Sequence, residues 1–188
     1  MKEQFLEPYL RKVRISKVLP YLKLYKNCHL LDIGCGWNAL LLQELEPYIG
    51  FGVGLDYKAP DINVTSKKIK TISACFDKEL PFDSQQFDIV TMLAVLEHLS
   101  FPELILQDIN RILKPGGGLI LTVPTKNAKP VLEFLSFQLN IVNPEEIIDH
   151  KNYFNKKDLS KVISKVFKIK KYYYFQFGFN SFCFCEKK

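Results

Sequence analysis

The apolar positions of this chain fall into short runs that are separated by segments with helical spacing. Five runs have the length and composition of buried strands. They are His29–Ile33, Phe51–Leu55, Ile69–Phe76, Phe87–Met92 and Leu119–Val123. Short, wholly apolar strands that alternate with helices predict a parallel sheet with helices on both faces.

Helices are predicted between and around these strands. Pro20 is predicted to break the first helix, Asn38 to cap the second, and Asn155 to cap the last. Phe154 and Leu159 flank Asn155 at the spacing of a hydrophobic staple. The predicted helices are 3–25, Asn38–Tyr48, Pro102–Leu113, 128–140 and the one after Asn155. Tyr57–Lys68 is expected to hold little helix, and Lys114–Gly118 to form a turn.

The end of the chain has a different pattern. Phe167–Phe177 and Ser181–Cys185 are alternating aromatic runs on either side of Gly178. This pattern predicts a terminal β-hairpin.

Composition indicates one soluble globular domain. The 188 residues are 47% hydrophobic and 24% charged, the balance of an ordinary folded domain. We divide it into an N-terminal helical cover (1–27), a cofactor-binding core (28–124), and a substrate cover with the hairpin (125–188). The sequence shows no signal-peptide pattern and no apolar run long enough to span a membrane. The five cysteines show no C-x-x-C pairing, which favours reduced thiols and a cytoplasmic location.

The net charge of +6 is unevenly distributed. Residues 151–188 hold ten lysines against Asp158 and Glu186, which gives +8, and residues 1–150 therefore carry −2. A basic segment of this kind suits phosphates, anionic lipid or nucleic acid. A lysine-rich solvated surface explains the same residues, and the sequence leaves both interpretations open.

Candidate chemistry is expected where the strands end, because ligands of parallel sheets bind outside the carboxyl ends of the strands. Asp32-x-Gly34-x-Gly36 follows the first strand, where glycines allow a sharp turn and close approach of a ligand. Asp56 ends the second strand and suits a ribose diol, since a carboxylate has two acceptor oxygens. Asp77 ends the third strand and Ala94–His98 follow the fourth.

The glycine loop alone also fits a nicotinamide dinucleotide. Gly34-x-Gly36-x-x-Ala39 satisfies a relaxed fingerprint, and Asp56 lies 20 residues beyond Gly36. Asp32 disfavours that alternative, because a carboxylate so close to the loop would repel a pyrophosphate. No Tyr-x-x-x-Lys pair for hydride transfer follows either.

Several ordered motifs together carry a family resemblance. Leu30–Gly36 resembles the first motif of class I S-adenosylmethionine-dependent methyltransferases, and Val53–Asp56 resembles their acidic second-strand end. The type 11 branch, which includes small-molecule and lipid-quinone methylating enzymes, is also similar in its later motifs. Those motifs are Asp77–Phe82, Phe87–Val90, Leu96–Leu99 and Arg111–Gly117. The resemblance runs from about residue 28 to 124, and the tail from His150 is similar as well.

The resemblance implies a Rossmann-like doubly wound α/β sheet of seven strands whose last strand is antiparallel. It also implies S-adenosylmethionine as the cofactor and no metal. The candidate cofactor-binding residues are Asp32, Gly34, Cys35, Gly36, Asp56, Tyr57, Phe76, Asp77 and Ala94. His98 is the candidate general base, with Glu97 as its alternative. His150 and Tyr153 are candidates for contact with the acceptor, and Cys35 is interpreted as a small filler.

The acceptor is predicted only as a class. Met92–Val95 replaces the Asn/Asp-Pro-Pro-Tyr run of enzymes that methylate exocyclic or amide nitrogens, which disfavours nucleic acid. Small-molecule, lipid-linked or saccharide acceptors remain. The apolar segment Val131–Leu139 suits a cover for a lipid, a buried core helix or a dimer interface, so a monomer and a homodimer both stay open. A non-catalytic adenosyl-binding subunit is the rival to an enzyme.

Overall fold

The computed structural model describes residues 7–60, 66–76, 78–130 and 151–188. Within these ranges seven strands form one sheet in the order β3-β2-β1-β4-β5-β7-β6. The strands are β1 (His29–Ile33), β2 (Phe51–Asp56), β3 (Ile69–Ser73), β4 (Phe87–Leu93), β5 (Leu113–Pro124), β6 (Phe167–Phe175) and β7 (Asn180–Lys187). Strands β1 to β5 pair in parallel, and β7 lies antiparallel between β5 and β6. The predicted seven-stranded sheet with an antiparallel last strand is confirmed.

Four α-helices flank the sheet in the described ranges: α1 (Glu7–Leu22), α2 (Leu40–Leu45), α3 (Pro102–Ile112) and α4 (Lys156–Ile163). Successive strand residues point to opposite faces, so β1 sends Leu30 to one core and Leu31 to the other. Leu30 packs with the cluster that contains Val18 of α1 and Leu42 of α2. Leu31 packs with the cluster that holds the buried residues of α3 and α4. The sheet is therefore covered on both faces.

Two predicted helix boundaries are wrong. Pro20 lies inside α1, which continues to Leu22. A proline loses its own N–H bond and crowds the carbonyl four residues earlier. Here it lies in the last turn, and the burial of Val18 and Leu22 on either side keeps the helix on the sheet. Asn38 is not the cap of α2: Ala39 is, at a φ of 47°, without a side-chain cap bond. The helix is also shorter than predicted, because it ends at Leu45 and a 3₁₀ turn follows at Glu46–Tyr48.

The lengths of two strands also differ from the prediction. β3 ends at Ser73, before Phe76, because its one neighbour β2 ends at Asp56, which pairs with Ser73. β5 begins at Leu113, so the predicted turn at Lys114–Gly118 is part of that strand. The pairing with β4 jumps from Phe87–Leu113 to Ile89–Gly118. The glycine run is therefore a bulge in the strand.

The last helix and the hairpin follow the sequence closely. Asn155 caps α4, since its side-chain oxygen accepts a hydrogen bond from the Asp158 N–H at 2.8 Å. Phe154 and Leu159 are both buried in the same core cluster, as a staple requires. β6 and β7 form the predicted hairpin.

The cysteines and the apolar character of the helices can be compared with the sequence-based predictions. All five cysteines are free thiols. Among the described helices, none combines the length and the apolar character that crossing a bilayer requires. The predicted helix 128–140 and the apolar segment Val131–Leu139 lie outside the described residues, apart from 128–130.

Candidate functional site

The sheet brings the ends of three parallel strands to one edge. β1 lies between β2 and β4, so the glycine loop, Asp56 and the segment after β4 are neighbours there. The contact is tight: a β-carbon on Gly34 would stand 2.2 Å from the Val95 Cγ2 atom. The spacing in sequence predicted this meeting point, because parallel neighbours share the same carboxyl edge.

The glycine loop has the conformation that its glycines suggest. Gly34 and Gly36 have φ angles of 77° and 74°, which favour glycine over any other residue. The loop is held by β2, since the N–H groups of Gly34 and Cys35 donate to the Leu55 carbonyl at 2.7 and 3.3 Å. These two N–H groups are therefore paired within the protein and are not exposed donors for a ligand.

Asp56 ties the loop to the strand end. Its Oδ2 accepts a hydrogen bond from the Gly36 N–H at 3.0 Å, and its Oδ1 accepts one from the Lys58 N–H at 2.9 Å. Each carboxylate oxygen can accept more than one hydrogen bond. The carboxylate is thus oriented by the backbone on both sides and keeps acceptor capacity for a diol.

Aromatic side chains flank Asp56. Tyr57 is 63% exposed, and its ring lies 5.0 Å from the Lys58 Nζ atom. Phe76 is half-buried against the core. Asp77, a candidate cofactor-binding residue, lies outside the described residues. Because β3 ends at Ser73, Phe76 stands on the loop that follows the strand.

Cys35 has the surroundings of a packing residue. Its side chain is buried, and a β-carbon on Gly54 would lie 2.8 Å from its sulfur. Burial raises the pKa of the Cys35 thiol well above its usual range. A thiol that stays protonated is a poor nucleophile, which agrees with its interpretation as a filler.

Asp32 is a buried acid beneath the loop. It is 3% exposed, and its Oδ1 accepts a hydrogen bond of 2.6 Å from the Thr91 hydroxyl on β4. Burial raises its pKa to about 7, while the Thr91 bond and the charge of Arg14 act in the opposite direction. Alternation along β1 explains its position, because Asp32 follows Leu30 on the face covered by α1 and α2.

Glu97 is a second buried acid near the same edge. It lies in the 3₁₀ turn Leu96–His98 and is 1% exposed. Its Oε2 is the one buried side-chain polar atom of the described residues that lacks a hydrogen-bond partner. Burial raises the Glu97 pKa to about 8, against the effect of a hydrogen bond from its own backbone and of the Arg14 charge. An orphaned buried carboxyl is costly, so it usually marks a place where a ligand supplies the partner.

The segment that begins at Lys151 is fastened to this turn. The N–H groups of Lys151 and Asn152 both donate to the Glu97 carbonyl at 3.0 Å. The Asn152 side chain donates to the Leu99 carbonyl at 2.9 Å, and Lys151 Nζ donates to the Ser100 hydroxyl at 3.0 Å. The structure therefore joins the region around Tyr153 to the segment that carries Glu97 and His98.

For the other candidate residues that the structure describes, it gives burial and local contacts. Ala94 has a φ of 59°, and its N–H donates to the Thr122 carbonyl at 2.9 Å. His98 is half-buried and donates its N–H to the Val95 carbonyl at 3.0 Å. Tyr153 is half-buried, with Lys129 Nζ 5.6 Å from its ring centre. His150 lies outside the described residues.

Sequence reasoning missed two residues of this site. Thr91 holds Asp32, and Arg14 lies close enough to influence both buried acids. Thr91 had a usable signal, since it is a polar residue in the middle of an otherwise apolar stretch of β4. Arg14 had none, because its role depends on how α1 packs on the sheet. Within the ranges described, no three His, Cys, Asp or Glu side chains cluster as metal ligands.

Comparisons with known proteins agree with this geometry. A family model described as a methyltransferase domain matches residues 31–121. A ubiquinone biosynthesis O-methyltransferase of Coxiella burnetii is 32% identical over 113 residues, which is 57% of this chain and 48% of that protein. A demethylmenaquinone methyltransferase of Lactiplantibacillus plantarum is 30% identical over 130 residues, 63% of this chain and 54% of that protein. The chain spans about half the length of these curated relatives.

Solved structures share the fold. A SAM-dependent methyltransferase from Aquifex aeolicus superposes with a TM-score of 0.69 at 16% identity, covering 97% of this chain and 99% of that one. The PH0226 protein from Pyrococcus horikoshii OT3 gives 0.70 at 18% identity, covering 98% and 94%. The matched family decides between the two cofactors that the glycine loop left open, in favour of S-adenosylmethionine.

Proposed function

This chain belongs to the S-adenosylmethionine-dependent methyltransferases of the type 11 branch, and on that premise we propose that it methylates a lipid-linked, quinone-type small molecule. S-adenosylmethionine is the cofactor of the family, and the chain binds it. The residues that hold the cofactor, the identity of the acceptor and the groups that assist transfer are our proposals.

Asp56 is the observation that carries the cofactor-binding part of the proposal. Both of its oxygens are fixed by backbone N–H groups, at 3.0 and 2.9 Å, and one of these groups belongs to the glycine loop. This arrangement sets the carboxylate to accept hydrogen bonds from the two ribose hydroxyls of the cofactor. Tyr57 and Phe76 offer aromatic faces beside it for the adenine ring.

The two buried acids fit the charged end of the cofactor. Asp32 and Glu97 are 3% and 1% exposed, and Glu97 Oε2 has no partner. A cation placed against them supplies the missing interaction, since a neighbouring opposite charge favours the ionised carboxylate. We assign Asp32 to the ammonium group of the cofactor, directly or through water. The orphaned oxygen of Glu97 likewise lacks a partner, and the Arg14 charge acts on both acids.

The protein's task in the transfer step is chiefly positioning. Bound S-adenosylmethionine supplies an electrophilic methyl group for in-line displacement. Holding the acceptor in line can lower the barrier by about 7–11 kcal/mol. A phenolic acceptor is a weak acid, so its proton must be taken as the new bond forms. We assign that role to His98, because it follows β4 at the edge of the sheet where the methyl group should lie.

The relatives support the proposed class of acceptor. The names of those from Coxiella burnetii and Lactiplantibacillus plantarum place them in ubiquinone and menaquinone chemistry. The fastening of Lys151 and Asn152 to the Glu97 turn supports a cover over the methyl position that includes Tyr153.

Transfer of a labelled methyl group tests the proposal. The protein is incubated with methyl-labelled S-adenosylmethionine and cell material separated into an organic-solvent extract and an aqueous extract. We expect label in the organic extract, in a product with a quinone chromophore. A His98→Ala variant is expected to lose turnover and keep cofactor affinity. Label confined to the aqueous extract contradicts the lipid-linked acceptor, and saturable cofactor binding without any product favours the non-catalytic subunit.

A further inference from the structure

The tip of the β6–β7 hairpin displays an unusual aromatic side chain. Phe177 is 100% exposed. It stands in a left-handed turn in which Gln176, Phe177 and Gly178 have φ angles of 50°, 58° and 84°. Bulky side chains rarely occupy this conformation. The turn therefore holds out a large apolar group at a position where glycine or asparagine would be the easier choice.

The tip is fixed to the body of the protein. The Thr125 N–H donates to the Phe179 carbonyl, and the Thr125 hydroxyl donates to the Gly178 carbonyl, both at 2.9 Å. The Asn180 side-chain amide donates to the Gln176 Oε1 atom at 2.7 Å. Phe177 is therefore displayed by a braced turn, whose position follows the end of β5.

The tip lies on the same edge of the sheet as the proposed methyl-transfer site. β5 is parallel to β4, and its last residue Pro124 pairs with Asn180, the first residue of β7. The turn thus stands beyond the carboxyl ends of the parallel strands. Thr125 also bridges to Phe154, which follows the segment fastened over Glu97. A surface that contacts the tip would therefore face the edge of the sheet at which the glycine loop, Asp56 and Glu97 lie.

A lysine lies against the aromatic residues of β6 that lead into the tip. Lys17 Nζ lies 4.9 Å from the ring centre of Tyr173 and 5.3 Å from that of Phe175. Lys126 directly follows Thr125, whose hydroxyl bonds to the Gly178 carbonyl of the tip. The lysines at the start of β6 and the end of β7 lie toward the opposite edge of the sheet and are not part of this surface.

We propose that Phe177, with Lys17 and Lys126, docks on an anionic membrane surface. An exposed aromatic ring with basic residues is the combination that interfacial binding uses, because the ring enters the headgroup region and the lysines meet anionic lipid. The inference rests on the proposed function in one respect, namely that a lipid-linked acceptor has to be collected from a bilayer. Docking itself requires neither cofactor nor acceptor.

Vesicle sedimentation tests the docking. The protein is mixed with vesicles of phosphatidylcholine alone or with added phosphatidylglycerol, and the bound fraction is measured at low and high salt. We expect binding to the anionic vesicles that weakens with salt. Phe177→Asn should weaken it about tenfold or more, since one aromatic side chain no longer leaves water. Asparagine tolerates the left-handed turn, so the variant is expected to unfold at the wild-type temperature.

Leu24→Asn is the matched control. Leu24 is 69% exposed, and it precedes β1 at the opposite edge, where the neighbouring Tyr25 hydroxyl donates to the Gly116 carbonyl. We expect this variant to bind vesicles as the wild type does. Equal binding of wild type and Phe177→Asn overturns the proposal, and so does absence of binding to anionic vesicles. Self-association that depends on Phe177 in sedimentation velocity without lipid overturns it in favour of a second copy.

The two proposals fail separately. Docking is measured without S-adenosylmethionine, and methyl transfer is measured on acceptor extracted into detergent. Transfer without vesicle binding overturns the docking alone. Vesicle binding without transfer to any acceptor overturns the proposed function alone.

Discussion

Glu97→Gln removes one buried ionisable group and nearly preserves its shape. The Glu97 pKa is raised from its ordinary 4.5 to about 8 because the side chain is buried at 1% exposure. The folded protein therefore holds this proton more tightly than the unfolded chain does. Stability from this source is fully present below about pH 4.5 and is lost as the pH rises through about 8.

The magnitude follows from the shift. Each pKa unit corresponds to about 1.36 kcal/mol, so this residue costs the wild type roughly 3–5 kcal/mol of unfolding free energy between about pH 4.5 and 9. Asp32 also lowers the unfolding free energy as the pH rises from about 4 to 7. This contribution is the same in wild type and in Glu97→Gln, so it cancels in their difference. The buried glutamine amide lacks partners and costs about 1–3 kcal/mol at every pH. The variant should thus be the less stable protein at pH 5 and gain on the wild type as the pH rises.

Urea unfolding at pH 5, 7 and 9 measures the effect. We expect the stability difference between Glu97→Gln and wild type to move by about 3–5 kcal/mol in favour of the variant across this range. Glu103→Gln is the control, because Glu103 is half-exposed in an ion pair with Lys165, and exposed pairs contribute little. A difference that stays constant from pH 5 to pH 9 would refute the argument that burial keeps Glu97 protonated.

The remaining predictions concern the cofactor loop and one helix cap. Asp56→Ala should weaken S-adenosylhomocysteine binding by more than about tenfold, since two hydrogen bonds to a carboxylate are lost. Fluorescence of Trp37, the single tryptophan, is the readout. An unchanged dissociation constant would show that Asp56 is not part of the site. Gly34→Val should abolish cofactor binding while the circular dichroism spectrum stays native, because its β-carbon would lie 2.2 Å from the Val95 Cγ2 atom. Retained binding would contradict the tight contact between the glycine loop and the segment after β4. Asn155→Ala should lower the free energy of unfolding by about 1 kcal/mol through loss of the bond to the Asp158 N–H, and a change within error in denaturant unfolding would show that the cap contributes nothing.

Patterns that are local in sequence predicted much of the fold. β1 has the predicted bounds, and the cap and staple of α4 follow from Asn155, Phe154 and Leu159. The hairpin follows from alternating aromatic residues, because the period of a strand is two. The end of β3 was missed, since it depends on where β2 ends and not on the residues of β3.

The candidate site divides in the same way. The sequence predicted that the glycine loop, Asp56 and the segment after β4 would meet, because parallel strand ends share an edge. It did not predict that Asp56 would brace the loop through the Gly36 N–H. Nor did it predict that Arg14 would influence Asp32 and Glu97, since that contact arises from the packing of α1. Whether Asp32, Asp56, Glu97 and His98 perform the assigned roles stays a prediction.

Calorimetry with S-adenosylhomocysteine and with NAD tests the central claim most directly, on wild type and on Asp56→Ala. The control is Asp83→Ala, whose exposed carboxylate bonds to Gln86 away from the glycine loop. We expect one molecule of S-adenosylhomocysteine bound per chain and no heat from NAD. Asp56→Ala should lose more than about tenfold in affinity, and the control should bind as the wild type does. Binding of NAD without S-adenosylhomocysteine, or equal affinity in wild type and Asp56→Ala, would contradict it.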